Sequence, residues 1–542
     1  MDQLRTTNST PEPAPDAFDR VTYLGWRKGL ATIVAGLAAS FVMFGYALVY
    51  WRNADMDFMV IYNAFILNDG KPQQYFDHTA YITILSVQLW FKLLHGLDLL
   101  DAYTLSNIPP ASSPAAFDVA MTSAVRAGRV LAWLTATGCV LIFAGLIRLI
   151  IRDWRIALIA TFAFAFSGGI AVHSRILRSE LLAACPVLFA LLILIVIGRR
   201  ANVVRPFGMA LAAGLCVLGL ENKVQAFLLV ATLPLLILPF GTVSSASIAF
   251  WRDPASAWLS AAVAALAAAV AAWAAFPLIA IGFDRILLDA AQFHPLFLGK
   301  FGMYQAALLT LVGACMVIFA TIWRVSAAET LASMFAVAAG ALIACLVLKL
   351  EYNTSNVIAV VNPLEKMLIF ADAETAHIAN DSGFSGKLVL LFKSVASVLA
   401  RYTFVLHSSP RPTVFLIWLV APGIVFAWRR GERQTALQAL VLLLAAVGID
   451  ALGVRRNLKS EYFVFTDPLI ILAGAILLDR MSDLRFHKRA YPIIATLVGL
   501  HLVVGQAEPV KLVLKRSGPE RICEWNLSDL PLLPLPWCKT PG

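Results

Sequence analysis

The chain has 542 residues, 60% hydrophobic and only 14% charged, with a net charge of +10 and a mean hydropathy of +0.78. A soluble protein of this length has no interior able to hide that much apolar surface. Its repeated apolar runs of about 20 residues point instead to membrane-crossing helices, because backbone groups in hydrocarbon must pair within their own segment. The runs do not alternate, which excludes a transmembrane barrel. Lys and Arg fall largely in short connectors, with no basic tract carrying interleaved aromatics, so no nucleic-acid partner is expected.

In chain order, residues 1–29 form a Pro-rich polar tail. The first apolar run, Leu30–Tyr50, is long for a cleavable leader and reads as an anchor. The next spans are Arg126–Leu149, Ile156–Val172, Ser179–Ile197, Pro206–Leu220, Val224–Phe240 and Trp258–Ile281. Met303–Trp323, Leu331–Leu350, Arg411–Trp428, Thr435–Gly453, Phe463–Leu478 and Ala490–Ala507 complete a set of about thirteen. The fold class is thus an all-α polytopic membrane protein, its membrane domain covering residues 30–507.

Cationic connectors recur after every second span, as at Arg148–Arg155 and Arg429–Arg433, and belong in the cytoplasm. The N-terminal tail is then cytoplasmic. Outer loops cover residues 51–125 and 351–410, and residues 508–542 form an outer tail. Two ambiguous stretches, Ala80–Leu94 and Leu388–Val405, read as amphipathic helices in the outer interface. Cys523 and Cys538 lie together in the outer tail and are expected to form a disulfide in an oxidising compartment. No CxxC spacing occurs, so no zinc or redox motif is expected.

Two constellations stand on the outer side. Asp55 and Asp57 follow the first span, near the membrane surface, where partial desolvation turns a carboxylate into a usable base. A helical stretch to Asn68, a turn at Asp69–Pro72, the pair Asp77–His78 and the run LWFKLLHG come next. The second constellation is cationic: Arg175 and Arg178 beside Glu180; Lys223 beside Glu221; and Arg455, Arg456 and Lys459 before Tyr462. Cations on this side run against the topology rule. A lipid phosphate at the surface accounts for them, through charge-assisted hydrogen bonds. Headgroup contact or pairing with Glu180, Glu221 and Glu461 is the simpler alternative.

The order of elements in the first outer loop resembles the lipid-dependent glycosyltransferases of the GT-C fold, the protein O-mannosyltransferases and lipid A aminoarabinose transferases. The two prolines that follow the family's histidine are replaced by Thr79 and Ala80, and the segment NIPPASSPAAFD is extra. The resemblance implies a polyprenyl-phosphate sugar donor and an envelope glycan, lipid or protein acceptor. A single displacement predicts inversion, and the Lys/Arg topology places the transfer on the non-cytoplasmic face, expected to be the periplasmic face of a bacterial inner membrane. By residue, the resemblance assigns Asp57, or Asp55 as second choice, as the base. Arg175, Arg178, Lys223, Arg455, Arg456, Lys459 and Tyr462 become the donor-phosphate group, and Asp77, His78 and Glu180 the acceptor or sugar groove. No cofactor is expected, and a divalent metal between Asp55 and Asp57 is not favoured. A flippase of lipid-linked sugars and a non-catalytic scaffold are the alternatives. A flippase calls for ionisable groups near mid-bilayer, which the spans mostly lack.

Overall fold

The structure, a computed structural model, describes residues 20–71, 73, 80–199, 205–241, 251, 253–281, 301–323, 325–349, 384–403, 413–453, 460–481, 487–514, 519–523 and 530–538. Among these residues all regular structure is helical. The first half contains α1 (Arg20–Phe41), α2 (Ala54–Asn68), α3 (Tyr81–Gly96), α4 (Pro114–Ile150), α5 (Trp154–Ala165), α6 (Gly168–His173), α7 (Glu180–Arg199), α8 (Arg205–Asn222) and α9 (Ala226–Ile237). The second contains α10 (Pro254–Ile281), α11 (Phe301–Trp323), α12 (Ala327–Cys345), α13 (Phe384–Thr403), α14 (Val414–Arg429), α15 (Arg433–Gly453), α16 (Asp467–Met481), α17 (His487–Gly505) and α18 (Ala507–Leu514).

Each expected span is mainly helical where it is described, the third being broken at Phe166–Ser167 between α5 and α6. Among the described residues, six helices are long and apolar enough to cross a membrane by themselves; they lie within Tyr23–Tyr46, Pro114–Ile150, Glu180–Gly198, Pro254–Ala280, Ala327–Cys345 and Arg433–Leu452. Large apolar side chains face outward rather than inward on several of them. On α10, Trp273 is 81% and Phe276 67% exposed, an arrangement stable only against lipid.

Two boundaries differ from the sequence reading. The first helical run ends in a π-type turn, Val42–Tyr46, and the chain leaves it before Tyr50. Buried Arg129 of α4 donates to the carbonyls of Gly45, Leu48 and Tyr50, replacing intrahelical bonds there. The second span begins at Pro114, not Arg126, so the segment read as an inserted loop supplies the start of α4. Proline suits a first turn, where its missing N–H has no partner to lose. Phe117, Met121 and Ala124 then recur on one buried face.

That outer extension closes a second apolar core. Tyr50, Phe58, Phe65, Phe91, Phe117 and Met121 pack with Leu530, Leu533 and Leu535 of the tail, and Trp537 stands edge-on to Phe117. A Cys523–Cys538 disulfide ties the tail into a loop over this core. Both ambiguous stretches are helices, α3 and α13. The Tyr402 hydroxyl on α13 donates to buried Asp450 on α15 at 2.7 Å, fixing α13 to the bundle.

At the opposite end, Asp479 accepts from the backbone of Arg152 and Asp153, and the Arg148 guanidinium donates to the Ile151 and Arg152 carbonyls. This cationic turn marks one face of the bundle. The face carrying the second core is called outer below.

Candidate functional site

The site grows from three close approaches between elements. Gly169 of α6 lies against a 3-10 turn, Ser460–Phe465; a Cβ on Gly169 would come within 2.5 Å of the Val464 nitrogen. Glu461 is thereby held against the 174–180 connector. Asn222, at the end of α8, donates to the Ser179 carbonyl and accepts from the Thr83 amide and hydroxyl, both at 2.9 Å. The Ala80 amide donates to the Asn222 carbonyl at 2.8 Å. The starts of α3 and α7 and the end of α8 thus meet at one point.

Glu180 is the centre. It opens α7 and is fully buried. One carboxylate oxygen takes Lys223 Nζ at 2.6 Å and Arg178 Nη2 at 3.1 Å. The other takes Arg178 Nε at 3.2 Å and lies 3.4 Å from His173 Nε2. His173 Nδ1 is 2.6 Å from the Gly169 carbonyl, which can only accept, so Nδ1 donates to it. Arg178 reaches Glu461 at 3.4 Å, and the Lys223 ammonium stands 5.2 Å from the Tyr462 ring centre.

Two acids keep uncommitted oxygens in this layer. Among the described residues, both carboxylate oxygens of buried Glu221, and Oε2 of Glu461, are buried without a hydrogen-bond partner. Such atoms are costly to leave dry and mark a place where a proton or a donor group is accommodated. Beside the cluster, a 20 Å³ cavity is lined by Thr83, Ser86, His173 and Arg178, among others, with room for about one water. Along α7 at 1.5 Å per residue, Glu180 stands about 29 Å from Arg199, roughly one hydrocarbon thickness. The cluster therefore lies at the outer edge of the apolar layer.

Of the residues the sequence singles out, Arg178, Glu180, Lys223 and Tyr462 come together with His173 and Glu461, while Glu221 lies two residues before Lys223 at the end of α8. Arg175 does not join them. Its guanidinium bonds Ser40 and Gln506 at 2.7 and 2.9 Å and stacks over Phe44, joining α1 to the outer end of α17; burial pushes its pKa down to about 10.

The sequence expectation of Asp57 as the base meets a side chain whose two oxygens are both engaged. It is fully buried. Its Oδ2 pairs with Arg129 at 2.8 Å, and its Oδ1 accepts from the Leu177 amide at 2.8 Å. The reason is electrostatic: the buried guanidinium that closes the first helical run needs an acid, and among the described residues Asp57 is the one that pairs with it. Asp55 lies in the first turn of α2, its side chain outside the described residues. Asp77, His78, Arg455, Arg456 and Lys459 also lie outside them. Sequence reasoning missed Arg129, which looks like an ordinary outer-end cation of span two. It also gave Asn222 no role. Among the described residues no group of three or more His, Cys, Asp or Glu side chains is arranged to hold a metal.

No family model matches the chain, and no curated protein matches it in sequence. Among solved structures it is similar to the archaeal oligosaccharyltransferase AglB from Archaeoglobus fulgidus, solved in complex with an inhibitory peptide and a dolichol-phosphate. The identity is 13% and the TM-score 0.47, with 95% of this chain and 60% of that one covered. The chain thus spans about 60% of the length of that protein.

Proposed function

We propose that the chain is a GT-C-type membrane transferase that moves a sugar from a polyprenyl-phosphate donor to an acceptor hydroxyl at the outer face. The observation that carries this reading is the buried layer around Glu180: two cations, Arg178 and Lys223, gathered at the depth of lipid phosphates, with Glu461 beside Arg178 and Glu221 two residues before Lys223 both keeping oxygens without a partner among the described residues. In this reading Arg178 and Lys223 bind the donor phosphate, with Glu180 orienting both. They stabilise the charge that grows on the phosphate as the sugar leaves.

The acceptor oxygen attacks the anomeric carbon as the bond to the phosphate oxygen breaks. The hydroxyl proton goes to Glu221, and the lipid phosphate departs with the electron pair. A single displacement inverts the anomeric centre. Asp57, whose oxygens are engaged, takes a positioning role. Glu180, Glu221, Lys223 and Asp450 all stand within about a turn of their helix ends, which favours surface chemistry over passage through mid-bilayer.

The test is incubation of the protein in nanodiscs with labelled polyprenyl-phosphate sugars. Loss of the sugar from the lipid is expected, with Glu221→Gln reducing it about 100-fold or more. Translocation of intact donor without bond cleavage identifies a flippase instead. Full transfer by Glu221→Gln removes Glu221 from the mechanism.

A further inference from the structure

Outside the Glu180 cluster, a groove of 700 Å³ runs between α3, α4 and the end of the first helical run. Its walls are unlike those of an ordinary crevice. Arg126 lines it, with Nε buried and, among the described residues, without a hydrogen-bond partner; its guanidinium stacks 5.0 Å over the Tyr46 ring. The acid on the same wall, Asp118, is about 12 Å away along the helix and already accepts from the Tyr50 hydroxyl. Among the described residues Arg126 is therefore a cation without a counter-charge, in a groove that also presents the hydroxyls of Thr122 and Ser123.

Depth narrows the choice of ligand. Arg148 belongs to the turn at the opposite face, and Arg126 lies about 33 Å from it along α4, one hydrocarbon thickness. Its guanidinium is thus at the height of outer-leaflet phosphates. The groove opens sideways, with Leu99 67% and Val119 72% exposed on its rim. Below Arg126, Leu134 and Leu141 continue an exposed apolar stripe down α4, fit for an acyl chain.

We propose that this groove docks a bilayer lipid of the phosphatidylglycerol class. Its phosphodiester lies on Arg126, and its head hydroxyls lie against Ser123 and Asp118. One negative charge matches one unpaired guanidinium, and a carboxylate nearby accepts from head hydroxyls while repelling a second phosphate charge. The inference does not depend on the proposed transferase reaction, whose phosphate contacts are assigned to Arg178 and Lys223.

Native mass spectrometry of the full-length protein, with phosphatidylglycerol and phosphatidylcholine of identical chains as probes, tests it. Wild type is expected to retain one phosphatidylglycerol with about tenfold preference. Arg126→Gln is expected to lose the preference and Arg126→Lys to keep part of it. Ser123→Trp, which fills the groove from an exposed position and leaves the charge, is expected to lose the bound lipid too. Equal binding of both lipids by wild type overturns the proposal, as does undiminished preference in Arg126→Gln. Tighter Arg126-dependent binding of a polyprenyl phosphate overturns the assigned occupant.

Discussion

Arg129 and Asp57 form a fully buried ion pair at 2.8 Å in which each partner also holds backbone. Arg129 gathers the carbonyls at the end of the first helical run, and Asp57 holds the Leu177 amide. One pair therefore ties together the end of the first helical run, α2, α4 and the connector before α7. Removing either partner leaves a buried charge alone, at a cost of roughly 3–5 kcal/mol. Arg129→Met is expected to cost more than Asp57→Asn, because it also orphans carbonyls. Thermal unfolding in detergent checks the order. An Asp57→Asn protein that is fully stable but inactive would return Asp57 to the role of base.

The Glu180 cluster makes a different prediction. Glu180→Gln keeps the shape but leaves Lys223 and Arg178 facing an amide, two buried cations without their common carboxylate. Stability is expected to fall by roughly 3–5 kcal/mol. Adding Lys223→Met removes one stranded cation, so part of that loss should return. A double-mutant cycle should yield a coupling of about 0.5–3 kcal/mol. Strict additivity in the cycle would mean that the 2.6 Å contact carries no energy.

Much of this architecture was readable from the sequence because hydrocarbon imposes a simple code. Apolar length locates helices, and cation-rich turns locate one face. The amphipathic repeat of 388–402 revealed α13. The code fails where helices leave the bilayer. The start of α4 carries Asp118 and three prolines just before it, so its hydropathy hides the Phe117–Met121–Ala124 stripe that makes it a helix. Pairing across the chain is also invisible. Asp57 and Arg129 are far apart in sequence, and their local contexts suit a free loop acid and a span-end cation equally well. Arg178, Glu180 and Lys223 were legible as a group because each sits at the end of a span on the same face.

The outer tail offers a third test. Cys523–Cys538 closes a short loop whose Leu530, Leu533 and Leu535 fill the second core, and the Leu532 amide donates to the Tyr62 hydroxyl of α2 at 3.2 Å. Opening a loop of this length is expected to cost about 3 kcal/mol. Because the loop packs on α2 and the outer start of α4, around Phe117 and Met121, rather than along the spans, the Cys523→Ser/Cys538→Ser protein should become protease-sensitive after residue 519 while its spans stay protected. Limited proteolysis with mass mapping reads this directly. Cleavage spread evenly through the bundle would show that the tail supports the whole fold.

Among the described glycines, the closest approach to a neighbouring backbone is that of Gly340 on α12 to α8. A Cβ on Gly340 would meet the Ala210 carbonyl oxygen at 2.0 Å and its carbon at 2.6 Å, backbone atoms that cannot rotate away. Small residues let membrane helices approach this closely. The two helices are also clamped at their starts by Arg205 and Glu329 at 2.6 Å, so they cannot part freely there. Gly340→Ala is expected to destabilise by about 1–3 kcal/mol. Gly214→Ala, whose methyl would meet the Gly340 oxygen at 3.3 Å, should cost less. Gly138→Ala on α4 meets nothing within 4 Å and should be neutral or slightly stabilising through helix propensity. Unfolding midpoints of the three variants, measured in one detergent, give the order. A Gly340→Ala protein as stable as Gly138→Ala would mean that α8 and α12 do not cross at this distance.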